Sequence, residues 1–258
     1  MLQTALSVIK TYALGISVIA VNLVASLLFT LLFHGNSYLI SGCTYAVVIL
    51  FCIWFYRFIQ KRSDPVQSIS FSWKNFIAAI VFWVLCCFML ITVALYINSL
   101  TFDPEMASRT DYFAERTAIS PVLQVLFSCI LAPVTEELMF RLCIYNTFRR
   151  SSPWFVAMFI SAFLFGAIHG TLTHIVYATL FGCILVLIYE NTGRHIAVTM
   201  LCHCIYNTIV TFSGDGSIYP YDKSYISIAY IILLVLFIIA IGIRTNRLFC
   251  QLDHQNAK

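Results

Sequence analysis

Two adjacent glutamates stand in an otherwise apolar run, Ala132-Pro133-Val134-Thr135-Glu136-Glu137-Leu138-Met139-Phe140-Arg141. On a helix, Glu137 and Arg141 are four residues apart with the acid first, the favourable order for an ion pair on one face. Glu136 points about 100° away from Glu137 and lies five residues from Arg141. It is therefore the carboxylate less committed to the arginine, and the one placed to take a proton. A structural ion pair accounts for one glutamate; it leaves the second to be explained.

Further along, His169 closes the apolar run Ser161-Ala162-Phe163-Leu164-Phe165-Gly166-Ala167-Ile168, and His203 sits in the middle of another. Asn207 follows His203 by one helical turn on the same face. Each of these groups is costly when it faces lipid, so the sequence predicts that they turn toward a bundle interior, where they can converge with the glutamates. Cys202 and Cys204 flank His203. Neighbours at one residue's distance project about 100° to either side on a helix, which makes a His-Cys metal site there a poor fit. His174 could face either His169 or a turn, and His34, His195 and His254 fall at ends or in connections.

The elements that must hold these residues are apolar helices. The chain has 258 residues, of which 61% are hydrophobic and 10% charged. Soluble domains carry roughly 25% charged residues, because they must coat their outside with them. Apolar stretches fall at 12–33, 38–59, 76–98, 118–148, 153–169, 172–189, 195–212 and 224–243. Most approach the ~20 residues that cross a bilayer core as a helix. No alternating pattern of strands appears, which excludes an outer-membrane barrel. The expected fold is all-α: a polytopic membrane protein of about eight transmembrane helices in one domain. The fourth stretch is expected to bend or break near Pro133, and Gly170-Thr171 to form a tight turn at membrane depth.

The net charge of +4 follows the membrane and is no sign of nucleic-acid binding. Lys10, Arg57, Lys61, Arg62, Lys74, Arg149, Arg150, Arg194, Arg244, Arg247 and Lys258 fall on alternate connections, eleven of the fifteen basic residues. Arg109, Arg116 and Lys223 fall on the other side. By the positive-inside rule both termini are cytoplasmic and the acidic loop 101–117 is outside, in a multi-pass protein of the cell membrane. Counted from the connections at Arg149 and Arg194, Glu136, His169 and His203 lie roughly 14–24 Å deep at ~1.5 Å per residue. The segment 62–75 reads as an interfacial stretch. The ten cysteines, most of them within apolar helices, read as small buried hydrophobes rather than a disulfide framework.

Glu136-Glu137-x-x-x-Arg141, Phe165-x-x-x-His169 and His203-x-x-x-Asn207, in this order and each in an apolar stretch, resemble the three motifs of the CAAX protease and bacteriocin-processing (Abi) family. They define a core of about 118–212. The resemblance implies an intramembrane endopeptidase acting on a membrane-associated peptide or protein, in peptide maturation, prenyl-protein processing or bacteriocin self-immunity. The catalytic residues it implies are Glu136, Glu137, Arg141, His169, His203 and Asn207. Glu136 would accept a proton from water positioned by His169, His203 and Asn207 would hold the oxyanion, and Glu137 with Arg141 would orient Glu136. No cofactor is required in this reading. Zinc on His169, His203 and Glu136 is the alternative, since two histidines and a glutamate are a common catalytic zinc set; the His-Glu-x-x-His helix of zinc peptidases is absent. A non-catalytic immunity or regulatory protein that binds a peptide or a sensor kinase is the rival function. A proton-coupled transporter is a third, disfavoured by the lack of an internal repeat.

The expected topology gives a direct test. A Glu105→Cys variant should react with an impermeant thiol reagent added outside intact cells; labelling only after permeabilisation would reverse the orientation.

Overall fold

The structure, a computed structural model, describes residues 2–33, 36–60, 69–100, 120–170, 172–212 and 224–256. The acidic loop 101–117 and Thr171 lie outside these residues. Among the described residues there are eight helices and no strand. They are α1 (Leu2–Phe33), α2 (Ser37–Phe55, continued by a π turn over Tyr56–Gln60), α3 (Trp73–Leu100), α4 (Pro121–Phe148), α5 (Trp154–Ala167), α6 (Leu172–Asn191), α7 (Ile196–Phe212) and α8 (Ser224–Asn256). Five contain segments long and apolar enough to cross a membrane: Leu6–Phe33, Ser37–Ile59, Pro121–Phe148, His174–Asn191 and Ile232–Cys250. Trp73–Cys87, Trp154–Ala167 and Ile196–Phe212 are shorter apolar helices. The chain is an all-α, multi-pass membrane protein.

Two compact units make up the chain, residues 1–66 with 116–161, and residues 67–115 with 162–258. In the first, α1 and α2 pack on each other and on α4. Gly15 of α1 allows this close approach: a side chain there would meet the Phe148 ring at 2.6 Å. Tyr12 stacks on the same ring at 4.3 Å. The helix starts are encoded locally. Asn36 caps α2 by accepting the Leu39 N–H at 3.1 Å. Ser120 caps α4 by accepting the Leu123 N–H, with Pro121 in the first turn, where its missing N–H costs nothing.

In the second unit α6 packs against α3, α7 and α8. All ten residues from Phe181 to Glu190 are buried, so this helix has no outward face along that length. Gly182 lets it approach Ala162 of α5, where an added Cβ would sit 3.0 Å from the Ala162 Cα. The end of α6 is a left-handed turn. Gly193 and Arg194 have φ of 70° and 62°, and the Arg194 N–H returns to the Tyr189 carbonyl at 2.8 Å. Glycine is required at 193 for a second reason, because a Cβ there would meet the backbone of Ile69 and Phe71 at 3.1–3.2 Å.

Gly193→Ala should therefore destabilise the protein by roughly 1–2 kcal/mol, the cost of a left-handed residue bearing a Cβ. Thermal unfolding in detergent measures it; an unchanged midpoint would show that this turn does not constrain the unit.

Candidate active site

The first group of candidate residues lies in the first unit, on α4. This helix is not uniform. It runs as α over Pro121–Gln124, π over Val125–Leu131, α over Ala132–Glu137, π over Leu138–Tyr145 and α again over Asn146–Phe148. The break expected near Pro133 is thus a change of winding in a continuous helix. Proline lacks an N–H and its ring crowds the carbonyl four residues back. Widening the preceding turn relieves that crowding, and the Ala132 N–H donates five residues back, to the Phe127 carbonyl. The Thr135 hydroxyl donates to the Leu131 carbonyl at 2.7 Å, a side-chain bond back along the same helix.

Directly after this repair come the two glutamates. Glu137 is fully buried and its Oε1 lies 3.2 Å from Nη1 of Arg141, itself 1% exposed. Glu136 is only half-buried. The two carboxylates therefore differ in surroundings as their spacing from Arg141 implied. The second π segment encloses Arg141 and ends where the Asn146 N–H donates to the Arg141 carbonyl. It was not foreseen; single-turn π windings are frequent at functional sites, but the sequence has no simple code for them.

The second group lies in the second unit. His169 stands in the turn after α5, its N–H bonded to the Gly166 carbonyl at 2.9 Å, and Gly170 turns the chain with φ 90°. Of the tight turn expected at Gly170-Thr171, only Gly170 lies within the described residues. Nδ1 of His169 lies 2.7 Å from the Phe165 carbonyl oxygen. A carbonyl only accepts, so Nδ1 carries the hydrogen of this bond.

His203, 2% exposed on α7, is held among aromatic rings. Phe165 meets it edge-on at 5.8 Å and Phe181 at 5.1 Å, while Phe165 also meets His169 at 4.9 Å. Tyr206 stacks on Phe181 at 4.3 Å. One phenyl ring thus touches both imidazoles, and a second fixes His203 from α6. Asn207, one turn beyond His203, is half-buried. Phe181 and Tyr206 escaped the sequence reading, because aromatic residues in an apolar helix have no spacing that marks a contact with another helix. Of the remaining candidates, His174 lies 5.0 Å from the Tyr177 ring and His195 is exposed. Cys202 is buried and Cys204 half-buried, neither in a disulfide. Within each unit, among the described residues, no three His, Cys, Asp or Glu side chains are gathered as a metal ion would need.

Residues 118–209 match the family model for type II CAAX prenyl endopeptidases, Rce1-like. All six candidate residues fall inside the match. Over this segment the chain is similar to the CAAX prenyl endopeptidases. The Rce1-like segment covers the whole of α4 through most of α7, so the motifs that carried the resemblance and the helices that hold them coincide. The chain is also 28% identical over 162 residues to the "Putative membrane peptidase YdiL" of Bacillus subtilis (strain 168), covering 58% of this chain and 62% of that relative. The match thus spans less than two thirds of the relative's length. No solved structure matches the chain.

The buried pair makes a stability prediction. Arg141→Met should destabilise the protein by about 3–5 kcal/mol, because it leaves a buried carboxylate without its guanidinium. The double variant Glu137→Gln/Arg141→Met should recover much of that loss. Thermal unfolding of the three proteins checks it: equal losses for single and double variants would mean that the pair is not coupled.

Proposed function

We propose that the protein is an intramembrane endopeptidase that hydrolyses a peptide bond of a membrane-associated peptide or protein. The observation that carries the reading is the unequal setting of two neighbouring carboxylates. Glu137 is sealed in an ion pair with Arg141, whereas Glu136 remains half-exposed on the next helical position. A base that must meet water and substrate needs the second setting, and the first holds its helix in register.

In the proposed reaction, Glu136 takes a proton from water as the water oxygen attacks the scissile carbonyl carbon. The Nε2 lone pair of His169, fixed by the bond from Nδ1 to the Phe165 carbonyl, accepts the water's other hydrogen and positions it. His203 and the Asn207 amide donate to the developing oxyanion, each such donor being worth about 3–4 kcal/mol. The proton on Glu136 then passes to the leaving amine. His203, bounded by two phenyl rings, has little freedom to turn, which suits a donor that must be in place before charge develops. The name of the family supports a prenylated-protein type of substrate, and that of the Bacillus relative supports peptidase activity in a membrane. Maturation of a peptide and immunity to a bacteriocin are roles of the same chemistry on other substrates. Both termini are proposed to be cytoplasmic.

A second reading is favoured by the same His169 contact. Histidines that bind zinc almost always give their other N–H to a carbonyl or carboxylate. His169, His203 and Glu136 would then hold the ion, which would polarise the scissile carbonyl and acidify bound water.

Peptides released from membranes carrying the native chain should be missing when Glu136→Gln replaces it, with a rate loss of about 10²–10⁴-fold in cleavage and unchanged insertion. Near-native cleavage by Glu136→Gln combined with loss in a folded Glu137→Gln protein would exchange the two roles. Identical release from native and both variant membranes would remove the peptidase reading and favour a binding protein.

A further inference from the structure

A polar knot ties α3, α6 and α8 of the second unit together. Glu190 is fully buried and receives Arg194, with Nη2 to Oε1 at 2.7 Å and Nε to both oxygens at 3.0–3.1 Å. Asn191 gives its amide hydrogens to the Leu187 carbonyl and the Thr245 hydroxyl, each at 2.8 Å. Its oxygen accepts Nη1 of Arg244 at 2.8 Å, and Nη2 of the same guanidinium donates to the Asn75 amide oxygen.

The two arginines are thus met differently. The charge of Arg194 is matched by a carboxylate; that of Arg244, half-buried, is held on two neutral amides. Amide oxygens satisfy the donors of a guanidinium without matching its charge, and among the described residues no carboxylate forms an ion pair with Arg244. Removing such a charge from water is costly unless an anion comes with it.

The surroundings of Arg244 point to that anion. Lys74, next to Asn75, is exposed, and so is Arg247, nearly one turn beyond Arg244. Phe71 and Trp73 are 42% and 70% exposed, and with Phe76 they form an aromatic cluster at 5.4–6.0 Å in which Trp73 meets both other rings edge-on. Exposed aromatic rings beside lysine and arginine mark the membrane–water boundary. From Trp73 an exposed apolar ridge runs down α3 through Ile77, Val81 and Val84, spaced four, four and three residues apart. Cations above an aromatic collar, with an apolar track below, match the three parts of a phospholipid: phosphate, glycerol and acyl chain.

We propose that Arg244, Lys74 and Arg247 bind the phosphodiester of an anionic phospholipid, whose acyl chain lies along the Trp73–Val84 ridge. The bound lipid would compensate Arg244 and so brace the ends of α3, α6 and α8. A soluble phosphate offers the same charge without the chain.

The full-length protein in nanodiscs of neutral phosphatidylcholine, with and without phosphatidylglycerol, tests this without a cleavage assay. Phosphatidylglycerol should remain bound in native mass spectrometry and raise the unfolding temperature. Lys74→Gln/Arg247→Gln should bind it on the order of twentyfold more weakly, about fivefold per charge removed. Both variant positions are exposed, so unfolding in neutral nanodiscs should be unchanged. Inorganic phosphate at millimolar concentration should not reproduce the effect. Equal retention of the two lipids, native affinity in the double variant, or equal stabilisation by inorganic phosphate would each overturn the proposal.

Discussion

The carboxylate of Glu137 and the guanidinium of Arg141, 3.2 Å apart and sealed from solvent, constrain everything around them on α4. Inside a bilayer neither group finds water, so each is tolerable only with the other. The pair fixes which face of α4 turns inward and therefore where Glu136, one position earlier, can go. It also explains why two acids stand together: the first can be left half-exposed because the second anchors the helix. The irregular winding of α4 before the pair has its own cause in Pro133. Proline at 133 cannot donate, and the turn before it widens so that the Ala132 N–H reaches the Phe127 carbonyl. The glutamates emerge immediately after that repair.

In the second unit the corresponding problem is solved by rings and a backbone carbonyl. His169 gives Nδ1–H to the Phe165 carbonyl, while His203 is bounded by Phe165 and Phe181. An imidazole so enclosed is fixed by packing rather than by charge, which suits a donor or ligand whose direction matters. At the end of α6 the solution is ionic again, with Glu190 and Arg194 paired and Arg244 resting on amides.

Much of this was legible in the residues, for reasons that have limits. Apolar runs gave the eight helices of the described residues, five of them long enough to cross a membrane. The Glu137–Arg141 pair followed from a four-residue spacing, and the turn at Gly170 from the shortness of the link. The winding of α4 was not legible: proline predicts disturbance, and whether a helix kinks, breaks or widens depends on neighbours that sequence does not name. Phe181 was invisible because an aromatic residue in an apolar helix looks the same against lipid or against an imidazole. Arg194 and Arg244 were read as residues of connections that set topology, and Glu190 was not singled out. Their spacing gave no sign that Glu190 is buried or that Arg244 reaches across to Asn75 and Asn191.

The central claim is that a glutamate, two histidines and an asparagine activate water and hold an oxyanion by their own chemistry. Metal content of the active, purified protein bears on this most directly, measured by elemental analysis together with cleavage before and after exhaustive chelation. The account predicts less than stoichiometric zinc and cleavage that survives the chelator. One zinc per chain, lost together with activity and restored with it, would contradict the account and make His169 and His203 ligands.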